Sequence, residues 1–468
     1  MSKLSNDKIN GTIVYETDWL ASEPVFYNLK SNKASKNINE VISFKEEDLN
    51  FHIEGLNNYL DYGYSIFEQT PIKNIKILSP ASQLILGDDG KLFVKNLKDP
   101  IEKWLDFKLS ENDIIELVRE RVQKWEKSIP VDQEIVLPLS GGFDSRFLLW
   151  CLKEKNRVRA FTYGISNMQS SSTDVIYASV LAKHYNLNWK QIHLGDFHNY
   201  FDDWDQEFGV STHAHGMYHL EFYKKINQII KNKCAFLSGI FGDVWAGNVP
   251  KAEIQSPKDL IKLSYSHGLY ADKKKLKIKA EQKLSTLLLD NFWIKNRKYF
   301  SDYRYQIIYT IRQKIILISY LMRLPRIFGF KTWSPFLDID IAMAMLNLPE
   351  DRRKDRIWQK EFFQKEGLDL ENRPLRVNNT NTLDIQATKI KPLQPLNVDL
   401  LKNLFDEKYL NWINKNIILS FYNIFKLKLL KVPKIGKLLR ILGFKGYIEA
   451  YSAYLCLKPI EKLLNRKK

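Results

Sequence analysis

The chain has 468 residues, 44% of them apolar and 27% charged, which is enough core-forming sequence for two or three domains and excludes wholesale disorder. No apolar run approaches the ~18 residues that cross a bilayer, and residues 1–8 lack the apolar stretch of a signal peptide, so a cytoplasmic protein is expected. The net charge is +17, and the three cysteines, Cys151, Cys234 and Cys456, have neither metal nor redox spacing and are expected to be buried thiols.

The first 110 residues read as a small β-rich module. Residues 12–15, 25–28, 75–78, 83–86 and 91–94 have strand character, and Gly87-Asp88-Asp89-Gly90 marks a turn between the last two. One helix is expected near residues 55–63.

Residues 134–139, Glu-Ile-Val-Leu-Pro-Leu, form an apolar strand that runs into Ser140-Gly141-Gly142-Phe143-Asp144-Ser145. A helix is expected from 143 to 154. Glycines let the backbone turn tightly and approach a ligand. The new helix offers free N–H groups and the positive end of its dipole. Ser140 and Ser145 add hydroxyl donors, and Asp144 is suited to a magnesium ion that touches phosphate. No G-x-x-x-x-G-K-[ST] loop occurs, so this is an anion site of another kind.

Strand and helix signals then alternate. Residues 158–163 read as a strand ended by Gly164. Asp174 opens a helix with Val175, Ala178, Ala182 and Tyr185 on one face. Residues 189–194 and 234–238 are further strands. Alternation of this kind predicts an α/β, doubly wound, mostly parallel sheet with ligands at the carboxyl ends of its strands. The segments 140–145, 163–164 and 238–243 all fall at such ends and are expected to converge.

Residues 256–345 turn helical and basic, with a buried helix expected over 312–322 and an interruption at 333–338. From residue 398 onward the pattern is helical. Residues 401–468 hold 15 Lys and Arg against four Asp and Glu. Such a tail suits an anionic membrane surface, nucleic acid or an acidic substrate, or is a solvated face. Residues 423–445 mix apolar residues with lysines, and Pro433 splits them into two helical pieces. That pattern fits weak membrane association or a helical layer packed on the preceding domain.

Taken together these motifs resemble the N-type ATP pyrophosphatases, and specifically the asparagine synthetase family, over nearly the whole chain. The match comprises Ser140 to Ser145, then Ala160-Phe161-Thr162-Tyr163-Gly164, then Asp174. It continues with Ser238-Gly239-Ile240-Phe241-Gly242-Asp243 and with Pro335-Phe336-Leu337-Asp338, followed by Lys360. The resemblance implies an adenine nucleotide alpha hydrolase-like fold and an ATP-dependent amide-forming ligase that releases AMP and pyrophosphate. It implies ATP and Mg2+ as cofactors. Ser140, Gly141, Gly142 and Ser145 would bind pyrophosphate, and Leu139, Tyr163, Ser238 and Gly239 would line the adenosine. Asp144 and Asp243 would hold magnesium, and Lys360 would stabilise developing charge. It also implies three parts: a glutaminase-like module at 1–110, an ATP-binding domain at 111–397 and a basic helical segment at 398–468.

The chain departs from the family pattern in places. Ile240 and Val244 stand where acidic residues are usual, which points to a carboxylate other than aspartate: a small molecule, or a precursor of a surface polymer. Arg146 stands where small residues are usual. The N-terminal module matches only the second half of a glutaminase domain, with Ser2 in place of a cysteine, so no glutamine hydrolysis is expected and a separate ammonia source is implied. The tail would place the protein in the cytoplasm or at the inner face of the membrane. Two other readings stand beside this one. One is a tRNA-modifying enzyme with a similar loop, although no nucleic acid is expected as partner. The other is a degenerate nucleotide-binding subunit. His213, His215 and His219 have spacing that suits a metal site or a substrate-side loop.

Overall fold

The computed structural model describes residues 11–45, 49–230, 234–249, 252–263, 287–441 and 445–467. Ser2, Leu442 and Phe444 lie outside the described residues. In chain order the N-terminal strands are β1 (Gly11–Glu16), β2 (Phe26–Asn28), β3 (Lys33–Ser35), β4 (Lys76–Ile77), β5 (Ser82–Gly87) and β6 (Leu92–Asn96). They form two antiparallel sheets, ordered β1-β5-β6 and β3-β2-β4. The expected helix is present at Ile53–Tyr62, stopped by Gly63 in a left-handed conformation with φ 83°.

Five strands make the central sheet: β7 (Ile135–Pro138), β8 (Val158–Tyr163), β9 (Asn188–Ile192), β10 (Ala235–Leu237) and β11 (Lys331–Trp333). All pairings are parallel and the order is β11-β10-β7-β8-β9. Ile135, Val136 and Leu137 are fully buried, as strands covered on both faces must be, which is why β7 reads as an unbroken apolar run. The chain steps from β7 to β8 and β9 on one side, then returns past β7 to lay down β10 and β11 on the other. The direction of winding therefore reverses between β7 and β10. In open α/β sheets a crevice forms at such a reversal, outside the carboxyl ends of the strands.

The sequence expectations at 312–322 and 333–338 need correction. The helix runs Tyr303–Ile318, begun by Asp302, whose side chain accepts a hydrogen bond from the Arg304 amide at 2.9 Å, and a second helix covers Tyr320–Ile327. The interruption at 333 is the end of β11, whose three residues are too few to leave a period-2 pattern.

The β3-β2-β4 sheet and the helix Ile53–Tyr62 share a core with the central sheet, in which Phe26, Leu56, Tyr59 and Tyr64 join Ile135, Trp245 and Phe336, whereas Leu84 and Leu92 of the β1-β5-β6 sheet pack with Val25, Tyr27 and Leu78 in a small core of their own. Arg312 fastens the two parts: its guanidinium pairs Asp99 at 2.6 and 2.9 Å and also donates to the Trp19 carbonyl. All three cysteines are buried, and none forms a disulfide among the described residues. No helix among the described residues is long and apolar enough to cross a membrane. The final helix, Tyr447–Asn465, is packed into the core, whereas Phe421–Lys431 and Pro433–Ile441, divided at the expected proline, leave much apolar surface exposed.

Candidate functional site

The loop after β7 is built by sterics. The Leu139 amide continues the ladder by donating to Phe161 O at 2.8 Å. Gly141 has φ 73°, and a Cβ there would lie 2.3 Å from the Tyr177 Cβ, so only glycine fits. Gly142 caps helix Phe143–Cys151 without any side-chain hydrogen bond, so no side chain satisfies the first-turn amides. The Ser140 and Ser145 hydroxyls lie 3.2 Å apart at its edge.

Arg146 explains its own departure from the family pattern. It is fully buried, donates to Gly141 O at 3.2 and 2.6 Å and to Leu368 O at 2.9 Å, and pairs the Glu371 carboxylate at 3.0 and 2.8 Å. The glycine loop is therefore anchored from below by a guanidinium.

The loop after β10 meets it. The Asp243 amide donates to Asp144 Oδ2 at 2.9 Å. Asp144 Oδ1 is shielded from solvent and has no hydrogen-bond partner. Burial, reinforced by the neighbouring Asp243, pushes the Asp144 carboxyl up to about 8, and Arg356 opposes the shift. Gly242 makes the approach feasible, because a Cβ there would lie 2.7 Å from Asp144 Cγ and 2.8 Å from the Phe336 ring. Phe241, just before it, has φ 70°, a strained conformation for a bulky residue. The Trp245 indole donates to Phe336 O at 2.8 Å and so ties the Pro335-Phe336-Leu337-Asp338 turn to this loop.

Two adjacent carboxylates, one with a buried oxygen lacking any partner, suit a hard divalent cation. Magnesium takes one or two protein carboxylates and completes its shell with water and phosphate oxygens. Among the described residues no cluster of three His, Cys, Asp or Glu could hold a metal ion.

The crevice encloses about 270 Å³. Leu139, Ser140, Asp144, Ser145, Tyr163, Ser238 and Gly239 all line it, while Gly141 and Gly142, in the same loop, are not among its lining residues. Asp243 stands beside Asp144. Lys360 is exposed on helix Ile357–Lys365 and makes no ion pair among the described residues. The cation whose field reaches Asp144 is Arg356, one turn earlier, held with Asp355 in left-handed backbone at φ 56° and 53°. Lys314, buried on helix Tyr303–Ile318, lies near Asp243. Burial lowers it to about 8, and Asp243 works against that shift.

Sequence reasoning gave no role to Arg356 or Lys314; it placed Asp174 only in the motif match and His219 only in the histidine cluster. Asp174 lines the crevice and burial raises it to about 6. His219 is a crevice wall: Nε2 lies 3.2 Å from the Tyr163 hydroxyl and Nδ1 3.2 Å from that of Tyr320. Burial lowers it to about 3, so it is neutral. A metal at the three histidines is not supported, because both ring nitrogens of His215 meet the carbonyls of His213 and Leu317, and His213 Nδ1 meets Gly63 O. Ile240 lines the crevice, and Val244 is buried.

No family model matches the chain, and no curated protein matches it. Among solved structures it is similar to an NH3-dependent NAD synthetase from Campylobacter jejuni subsp. jejuni NCTC 11168 in complex with the nitrate ion. The identity is 14%, over 42% of this chain and 97% of that one, with a TM-score of 0.23. A likeness at that score carries no argument, and the reading below rests on the crevice itself.

Proposed function

We propose that the chain is an ATP-dependent, amide-forming ligase of the asparagine synthetase type, on an adenine nucleotide alpha hydrolase-like fold, with residues 111–397 as its ATP-binding domain. One observation carries this reading. The glycine loop after β7 and the loop after β10 meet at the point where the sheet reverses, with Asp144 and Asp243 side by side.

In this reading adenosine lies against Leu139, Tyr163, Ser238 and Gly239. The amides of the first helical turn and the hydroxyls of Ser140 and Ser145 hold the pyrophosphate. Asp144 and Asp243 hold magnesium, which when bound offsets charge on the phosphates. A substrate carboxylate oxygen attacks the α-phosphorus, and the bond from that phosphorus to the bridging oxygen breaks, releasing pyrophosphate. Ammonia or an amine then adds to the acyl carbon, its proton is lost, and AMP departs. Arg356 and Lys314 place positive charge near the two aspartates, and Lys360 would need to reach in from the surface. Ile240 offers the acceptor an apolar wall, which favours a carboxylate other than aspartate.

The test is pyrophosphate release by the purified chain, with magnesium and ammonium, across a panel of amino acids, sugar acids and peptide carboxylates. Release that depends on one class of carboxylate supports the proposal. Magnesium-dependent ATP binding with no release across the panel would instead support a nucleotide-binding subunit, the reading favoured by the apolar Ile240 and Val244.

A further inference from the structure

Nineteen large apolar side chains are exposed among the described residues, and eight of them fall between positions 418 and 448. Every exposed aromatic is in that group. Phe421 is 87% exposed and Ile441 73%, and Tyr422, Phe425 and Leu438 are also open to solvent.

The burial is partly inverted. Helix Phe421–Lys431 turns Leu427 inward, and with it Asn423, whose amide donates to Lys415 O at 3.1 Å and Ile418 O at 2.8 Å, but it turns its aromatic residues Phe421, Tyr422 and Phe425 outward. A helix stabilised by its own fold alone would turn the aromatics inward. The same stretch, 418–448, contains seven Lys or Arg and no Asp or Glu. Lys434 and Lys437 are exposed beside Leu438.

We propose that helices Phe421–Lys431 and Pro433–Ile441 form a docking surface for an anionic lipid bilayer. Aromatic and aliphatic side chains between lysines match an interface whose headgroups are negative and whose interior is apolar. A second copy of this chain is a poor occupant, because a two-fold contact would set seven positive charges against seven. A nucleic acid would satisfy the lysines but leave Leu438 and Ile441 in water. The surface is independent of the chemistry in the crevice.

The test is sedimentation of the full chain with vesicles of phosphatidylcholine alone or mixed with phosphatidylglycerol. The chain should pellet with the mixed vesicles at low salt and be largely released at high salt. A Phe421→Ser/Phe425→Ser/Leu438→Ser variant should keep the parent circular dichroism, since these side chains are exposed, and bind about tenfold less. Three results would overturn the proposal. The first is a parent that stays in the supernatant with mixed vesicles at low salt. The second is a serine variant that pellets as well as the parent. The third is a dimer, seen by light scattering and dissolved by the variant, while neither protein binds vesicles.

Discussion

Asp144 concentrates the chemistry of the crevice in one carboxyl group. Its Oδ2 is fixed by the Asp243 amide and its Oδ1 is buried without a partner, the atom from which a bound cation would be held. Asp144→Asn keeps the size and removes the ionisable group. The variant is expected to fold, to lose the thermal stabilisation that ATP with magnesium gives the parent, and to release pyrophosphate about 100-fold more slowly or not at all. Parallel melting curves with and without nucleotide check this. Arg146 acts from beneath the loop. Arg146→Ala strands the carbonyls of Gly141 and Leu368, leaves Glu371 unpaired, and should cost about 3 kcal/mol in urea unfolding. Arg146→Lys keeps the charge but not the forked geometry and should recover only part of that loss.

At the scale of elements, the site depends on two loops approaching closely enough to share a carboxylate. Gly242→Ala should be destabilising by about 1–3 kcal/mol and should impair activity, because the new methyl collides with Asp144 and with the packed Phe336 ring. Gly142→Ala is the control: its Cβ would meet only Ser140 Oγ at 3.2 Å, so the effect should be smaller. The final helix is joined to the sheet domain through His198, whose Nε2 lies 2.9 Å from the Tyr451 hydroxyl. Burial lowers His198 to about 4 from an ordinary 6.5, and its contact with the Lys391 carbonyl opposes the shift. The unfolded chain therefore binds a proton that the folded chain refuses. Stability is fully present above pH 6.5 and falls as pH drops toward 4, by on the order of 3 kcal/mol from this group. His198→Gln should flatten the dependence of the unfolding midpoint on pH in that window, with His219 supplying much of what remains.

The strand–loop–helix units were legible because β7, β8 and β10 are buried apolar runs punctuated by glycine at the turns. For the same reason Ser140, Asp144, Tyr163 and Ser238 were expected together and do share one crevice. What was not legible depends on tertiary approach. The short strand β11 has no pattern of its own, Lys314 sits in an apolar helix with nothing local to single it out, and Arg356 is aimed by two consecutive left-handed residues. Arg146 looked like a defect because its partners, Leu368 and Glu371, lie more than two hundred positions away.

At the scale of the whole molecule, one core runs from the β3-β2-β4 sheet and helix Ile53–Tyr62 through the parallel sheet to the last helix, and Arg312, Trp19 and Tyr59 bond across those boundaries. Such a body holds the crevice rigid while the exposed faces of residues 421–441 are left to other contacts. In the proposed function this crevice breaks ATP between the α and β phosphates. The most direct measurement follows ATP radiolabelled at the α or the γ phosphate, incubated with the chain, magnesium, ammonium and the carboxylate panel, and identifies the products. Label is expected in AMP and in pyrophosphate in equal amounts, and in neither product with Asp144→Asn. Label in ADP and inorganic phosphate, or AMP and pyrophosphate formed equally well by the variant, would contradict it.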